Sequence, residues 1–200
     1  MPHRLIGFVS AVIVFAWATV ASAQQIWTAS GFVGSVDEAD TAMHVFGSNG
    51  AVAIKSAVRG TLNLRYPVQT LPDLLVPQEG DCPEMRVNLR DTGAGARVIV
   101  RLMQLEIFPA GPGHVRQLAS LGEIDSDTRQ PSGDANEYRS YAVCLKPAPD
   151  TVFGPGTGEF ITDYAFNTYF VDVQLIKSTA TANPGLLSLQ ICPSQDACDP

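Results

Sequence analysis

Histidines, cysteines, clustered carboxylates and exposed rings are the side chains that could do chemistry in this chain. The sequence holds three histidines, His3, His44 and His114. A Ser-His-Asp site needs one of them beside a hydroxyl and a carboxylate. No G-x-S-x-G pattern marks a serine nucleophile, and Ser48 sits in Gly47-Ser48-Asn49-Gly50, a turn sequence. His44 and His114 are therefore read as polar residues in or beside strands, with no chemical role.

The four cysteines are Cys82, Cys144, Cys192 and Cys198. They form no C-x-x-C pair and have no histidine near them in sequence, which argues against zinc. An even number behind a secretory leader points to two disulfides. Four cysteines allow three pairings. Cys192 and Cys198 flank a short polar stretch that closes easily as a local loop. Cys82 stands before a strand at Met85, and Cys144 lies inside a strand at Tyr138–Leu145. The expected bridges are thus Cys82–Cys144 and Cys192–Cys198, which leave no thiol free as a nucleophile.

Glu123, Asp125 and Asp127 crowd into one acidic stretch, and Asp37, Glu38 and Asp40 into another. Calcium takes several oxygen ligands from such loops, although EF-hand spacing is absent. The first trio is kept as the calcium candidate, the plainer reading being a solvated loop surface. No other cofactor is expected. Saccharide-binding surfaces would need exposed rings, and the chain offers Trp27, Tyr138, Tyr141, Tyr164, Phe166 and Phe170. Tyr164, Phe166 and Phe170 cluster and are the ligand-binding candidates. The competing reading is that these rings fill the core or its rim.

The elements that must position these residues are strands. Leu62, Leu64, Tyr66 and Val68 alternate with Thr61, Asn63, Arg65 and Pro67. Met85, Val87 and Leu89 alternate with Arg86, Asn88 and Arg90. Tyr169, Val171, Val173 and Leu175 alternate with Phe170, Asp172, Gln174 and Ile176. Period two with one apolar face marks a half-buried antiparallel strand. Gly47–Gly50, Asp91–Gly95 and Pro109–Gly113 supply turns between further strands at Ala42–Phe46, Ala51–Ile54, Arg97–Phe108 and His114–Leu121. Arg97–Phe108 is expected to carry a bulge, because its apolar side changes between Val100 and Met103. Two long loops, Gly122–Asn136 and Lys146–Phe160, remain. About nine strands with short turns imply an all-β, jelly-roll-like antiparallel sandwich. A closed membrane barrel would need strands of about 9–11 residues with an apolar outer band, and most strands here are shorter.

Residues 1–23 begin with His3 and Arg4, continue in an apolar run from Leu5 to Val20 and end in Ala21-Ser22-Ala23. This reads as a secretory signal peptide cut after Ala23. The apolar run is about 16 residues, short of the roughly 20 that span a membrane. Residues 24–40 show weak periodicity and are read as a loosely attached N-terminal arm, with one β-sandwich domain over 41–200. Hydrophobic residues make up 46% of the chain, enough for a core, so disorder is excluded. A net charge of -7 argues against nucleic acid as partner. No membrane span is expected after cleavage, and the destination is the periplasm or the exterior.

Asp91-Thr92-Gly93-Ala94-Gly95-Ala96-Arg97-Val98, Tyr169–Lys177 and Asn183-Pro184-Gly185-Leu186 resemble segments of short secreted bacterial β-rich proteins of unknown function. The resemblance spans roughly Thr41 to Ile191. It implies a bacterial exported β-domain and brings no activity with it. The reading is a non-catalytic module that binds a protein or glycan or joins an envelope or extracellular assembly. The alternatives are a carbohydrate-binding module and a secreted hydrolase with its site in the two long loops. Oligomeric state is not legible. Intact-mass measurement of the exported protein should find Gln24 at the N-terminus. A mass that retains residues 1–23 would revive the membrane-anchor reading.

Overall fold

Alternating side chains can keep one face dry only if strands pair in register and the dry faces meet. The computed structural model describes residues 26–69, 82–106, 118–128, 136–145 and 167–193 and shows that solution. The strands in chain order are β1 (Trp27–Ser30), β2 (Ser35–Val36), β3 (His44–Phe46), β4 (Val52–Ile54), β5 (Gly60–Val68) and β6 (Glu84–Arg90). They continue as β7 (Ala96–Glu106), β8 (Leu118–Asp125), β9 (Arg139–Cys144), β10 (Asn167–Lys177) and β11 (Gly185–Cys192). One sheet, A, runs β3-β4-β11-β6-β9, with β1 also paired to β11. The other, B, runs β2-β5-β10-β7-β8. Every pairing is antiparallel. The fold is an antiparallel β-sandwich, and its core lies between the two sheets. Leu62, Leu64, Val98, Val100, Leu102, Val171, Val173 and Leu175 of sheet B meet Met85, Val87, Leu89, Leu186, Leu189 and Ile191 of sheet A.

Eleven strands stand among the described residues where sequence suggested about nine. The two additions, β1 and β2, are four and two residues long, too short to show a period. They belong to the arm expected at 24–40, whose described residues lace both sheets rather than hanging loose. β1 pairs with Ser188–Ile191 of β11, while β4 pairs with Gly185 and Leu186 of the same strand. Between these two stretches, the β11 register shifts against β6. Gly31 fills the junction. A Cβ there would come 2.2 Å from the Leu186 carbonyl oxygen and 2.9 Å from the Val52 nitrogen, so no larger residue fits. The chain then crosses to sheet B, where the Tyr66 hydroxyl donates to the Gly31 carbonyl at 2.6 Å. Gly34 makes room for that ring, because a Cβ would lie 2.5 Å from it.

Two sequence expectations need correction. The strand after Pro109–Gly113 was expected to end at Leu121, with an acidic loop from Gly122; β8 instead reaches Asp125. Ile124 is fully buried while Glu123 is exposed, and arginines on β7 receive the acids, so the acidic stretch can stay in the sheet. The irregularity expected in β7 is found between Leu102 and Met103, but the additional residue is Leu121 on β8. β7 itself pairs with β10 without interruption, from Ala96 to Glu106. Leu121 and Ile124 are three apart and would face opposite ways in a regular strand. The bulge lets both reach the core.

Cys82 and Cys144 form the expected disulfide across the edge pair β6–β9, with Cα atoms 5.5 Å apart. Leu145 N–H donates to the Pro83 carbonyl at 2.7 Å just beyond it. Cys192 is also disulfide-bonded, and its expected partner, Cys198, lies outside the described residues. The disulfide is consistent with an exported protein. Residues 1–25 also lie outside the description. Among the described residues, no helix is long and apolar enough to cross a membrane.

Two measurements check this architecture. Tyr66→Phe leaves a buried carbonyl without its donor and should cost about 1–2 kcal/mol in urea unfolding. Replacing Cys82 and Cys144 by Ala should cost about 4 kcal/mol, from the loop entropy returned to the unfolded chain. A Tyr66→Phe midpoint equal to the parent's would show that the crossing is not anchored there.

Candidate functional site

Several elements end together at one end of the sandwich. Ile54 closes β4, Arg90 closes β6, Lys177 closes β10 and Gly185 opens β11. Small side chains line the space between them, with alanines at positions 51, 53, 57, 180 and 182. The result is a groove of about 730 Å³, within the range of small-ligand sites. Val45, Phe46 and Val58 give it apolar wall, and Tyr138 gives it a second ring.

Its polar groups are held in place. The Arg90 guanidinium lies 4.8 Å from the centre of the Tyr138 ring. Arg90 Nε donates to the Asn183 carbonyl at 3.0 Å, and Nη2 donates to Asn183 Oδ1 at 2.9 Å. Asn183 is fixed in turn, its N–H donating to Thr92 Oγ1 at 2.8 Å. Burial pushes the Tyr138 phenol above its ordinary value, although Arg90 opposes that rise. Tyr138 is therefore a neutral hydroxyl at neutral pH, able to donate and accept.

Lys177 is the unexpected member. It stands on the same phase of β10 as Tyr169, Val171, Val173 and Leu175, the phase that faces the core. It is only 2% exposed, and its Nζ donates to the carbonyls of Lys55 and Ser56 at 3.2 and 2.9 Å. Lys55 lies beside it in the groove lining, its own Nζ donating to the Ala42 carbonyl at 2.7 Å. Sequence reasoning passed over Lys177. The signal was present: a lysine at the end of an apolar phase must either break the strand or carry its charge to an opening.

The residues singled out from sequence go elsewhere. Glu123 and Asp125 lie on the outer face of sheet B, and Asp127 follows in a 3-10 turn at Ser126–Thr128. Glu123 pairs with Arg101, and Asp125 accepts from Arg97 Nε at 3.0 Å and Nη2 at 2.5 Å. Asp127 lies 3.5 Å from the same Arg97. The trio faces guanidinium groups rather than a shared centre. Among the described residues, no group of three or more His, Cys, Asp or Glu is arranged to hold a metal. Phe170 is half-buried on that same outer face, with the Arg65 guanidinium 5.7 Å from its ring centre. Tyr164, Phe166, His114 and the loop at 146–160 lie outside the described residues. Trp27 and Tyr141 pack against the core. His44 sits next to the groove, its ring 4.7 Å from that of Phe46. Its Nδ1 is buried with no hydrogen-bond partner among the described residues, so no carboxylate orients it there.

No family model matches this chain, and none of the curated proteins does. Solved structures do. A family two carbohydrate esterase from Cellvibrio japonicus aligns at TM-score 0.37 and 9% identity, over 84% of this chain and 33% of that one. This chain thus spans about a third of the esterase's length. A family 11 carbohydrate-binding module from Clostridium thermocellum, in complex with a β-1,3-1,4-mixed-linked tetrasaccharide, aligns at TM-score 0.35 and 12% identity, over 84% of this chain and 88% of that one. A carbohydrate-binding module described for specific mannan recognition aligns at TM-score 0.35 and 10% identity, with the same coverage of 84% and 88%.

The outer face of sheet B yields a pH prediction. Hydrogen bonding from Arg97 holds the Asp125 carboxyl below the usual carboxylate range, and Asp125 raises Arg97 in return. A depressed folded value means that Asp125 stabilises the fold fully above the unfolded value of about 3.9 and loses that contribution as pH falls through the folded value. Asp125→Asn should therefore lower the urea midpoint at pH 7, and the gap to the parent should close below about pH 4. A gap that persists unchanged at pH 2 would mean the carboxylate's charge is not what stabilises the pair.

Proposed function

We propose that this chain is an exported, non-catalytic binding module and that its ligand is a saccharide held in the groove. The observation that carries the reading is the combination of rings and fixed polar groups in one open cavity of about 730 Å³. Sugars present apolar C–H faces and rigid hydroxyl arrays. Phe46 and Tyr138 offer ring faces for the former, and Arg90 and Asn183, locked to each other, offer donors and an acceptor for the latter. Pre-formed polar groups cost little ordering entropy when the ligand arrives. The leader at 1–23 supports export, and the periplasm or the exterior follows from it. A second reading has its own support. Phe32, Val33 and Val45 are 51%, 53% and 46% exposed near the same edge of sheet A, which suits a protein partner in an envelope or extracellular assembly.

A glycan array followed by calorimetry decides between them. The saccharide reading expects binding to one class of glycan, weakened at least tenfold, about 1.4 kcal/mol, by Tyr138→Ala. Phe32→Ser should leave that binding unchanged. No retention of any glycan, together with partner capture abolished by Phe32→Ser, would transfer the function to the apolar edge.

A further inference from the structure

The charge inventory of the groove departs from that of the chain. The protein carries 13 Lys and Arg against 20 Asp and Glu. Yet the described residues that line the groove include Lys55, Arg90 and Lys177 and no Asp or Glu. None of the three has a carboxylate partner among the described residues, whereas Arg65, Arg86, Arg97 and Arg101 all do. We propose that the groove recognises an anionic saccharide, one whose rings carry carboxylate or sulfate groups. The proposal rests on the reading of the groove as a saccharide site and names its ligand class.

Three points carry it. First, Lys177 is buried with its ammonium bonded, among the described residues, to two carbonyl oxygens. Neutral dipoles offset part of the desolvation of a buried cation, and an anion offsets far more. An ammonium has three donors, so one remains after the two carbonyls are served. Second, Arg90 uses Nε and one Nη2 donor on Asn183. A guanidinium has five donors in a fixed fork, so three remain, in the geometry that suits a carboxylate or sulfate. Third, the Arg90–Tyr138 stack and the Asn183 bonds hold that fork still, so it does not need ordering when the ligand binds. An acidic sugar would place a ring against Phe46 or Tyr138 and its charged group at the Arg90 fork, with the charges of Lys55 and the buried Lys177 adding to the attraction from the same lining. A neutral sugar would leave these cations without a counter-charge.

The test uses the mature protein and three probes at matched length: an oligogalacturonate, a sulfated oligosaccharide and a neutral mixed-linkage glucan. Calorimetry should show an acidic probe bound at least tenfold more tightly than the glucan, with affinity falling as salt rises from 50 to about 500 mM. The carboxylated and sulfated arms identify which anion is read, and preference for either supports the proposal. Arg90→Gln and Lys55→Gln should each lower acidic-probe affinity several-fold. Lys177→Met removes the charge and keeps the apolar stem; thermal melting reports whether that variant is folded. Arg65→Gln, on sheet B, should change nothing. Equal or tighter binding of the glucan, with no salt dependence, would overturn the anionic inference and leave the groove reading standing. Failure of both acidic probes to bind would overturn the anionic inference, and retention of no glycan on the array would overturn the groove reading with it.

Discussion

The Tyr66 hydroxyl, buried between the sheets and bonded to the Gly31 carbonyl, is the contact on which the arrangement turns. Burial pushes that phenol well above its ordinary value, so it is a permanent donor. The bond fixes the point at which the N-terminal segment leaves sheet A and joins sheet B. Both flanking positions are closed to side chains: Gly31 lies against Leu186 and Val52, and Gly34 lies against the Tyr66 ring. From that crossing, Phe32 N–H reaches the Gly50 carbonyl at 3.1 Å and ties down the β3–β4 hairpin. Gly50 holds a φ of 85°, which a side chain would resist. Phe46, one ring of the groove, is carried by that hairpin. A hydrogen bond in the core therefore sets the position of a wall outside it.

Strands with long, strict alternation were legible because burial on one face imposes period two and nothing competes with it. β5 ran over Gly60–Val68 as expected, and the bridge from Cys82 to Cys144 followed from closing Cys192 and Cys198 as a local loop and placing the other two cysteines at strands. What was hidden depended on partners distant in sequence. β1 and β2 are made strands by β11 and β5, not by their own pattern. The end of β8, from Gly122 to Asp125, reads as an acidic loop until Arg97 and Arg101 are placed beside it. Leu121 and Ile124 look out of phase until the bulge is known. The groove was the least legible feature. Its lining comes from strand ends, a hairpin and the β10–β11 connection, which share no local signal. Lys177 alone was within reach, because its phase along β10 contradicts its charge.

The two faces of the molecule treat charge in opposite ways. On the outer face of sheet B, Arg65, Asp172, Arg101 and Glu123 stand opposite one another across β5, β10, β7 and β8. Their signs alternate, and each arginine has a carboxylate beside it. Such a row satisfies itself. It favours one strand register over its neighbours, because a two-residue slip of β10 would set Asp172 opposite Asn63 or Pro67 on β5 and Ile99 or Met103 on β7 instead of the arginines. Paired in this way, it has little charge left to offer a ligand.

The groove has the reverse economy. Its cations are fixed by carbonyls, an amide and a ring, all of them neutral, so position is secured without cancelling charge. A salt bridge would have fixed Arg90 equally well but would have cancelled the charge that the proposed anion would meet. Neutral partners cost more in folding, since a buried ammonium such as Lys177 keeps part of its desolvation penalty. Folding tolerates that penalty at the end of β10, where Tyr169, Val171, Val173 and Leu175 already bury the strand. The same penalty is what an anion would relieve on binding. On the proposed reading, stability and recognition are separated in space. The ion-paired sheet holds the strands in register, and the end of the sandwich keeps its positive charge uncompensated by any described carboxylate.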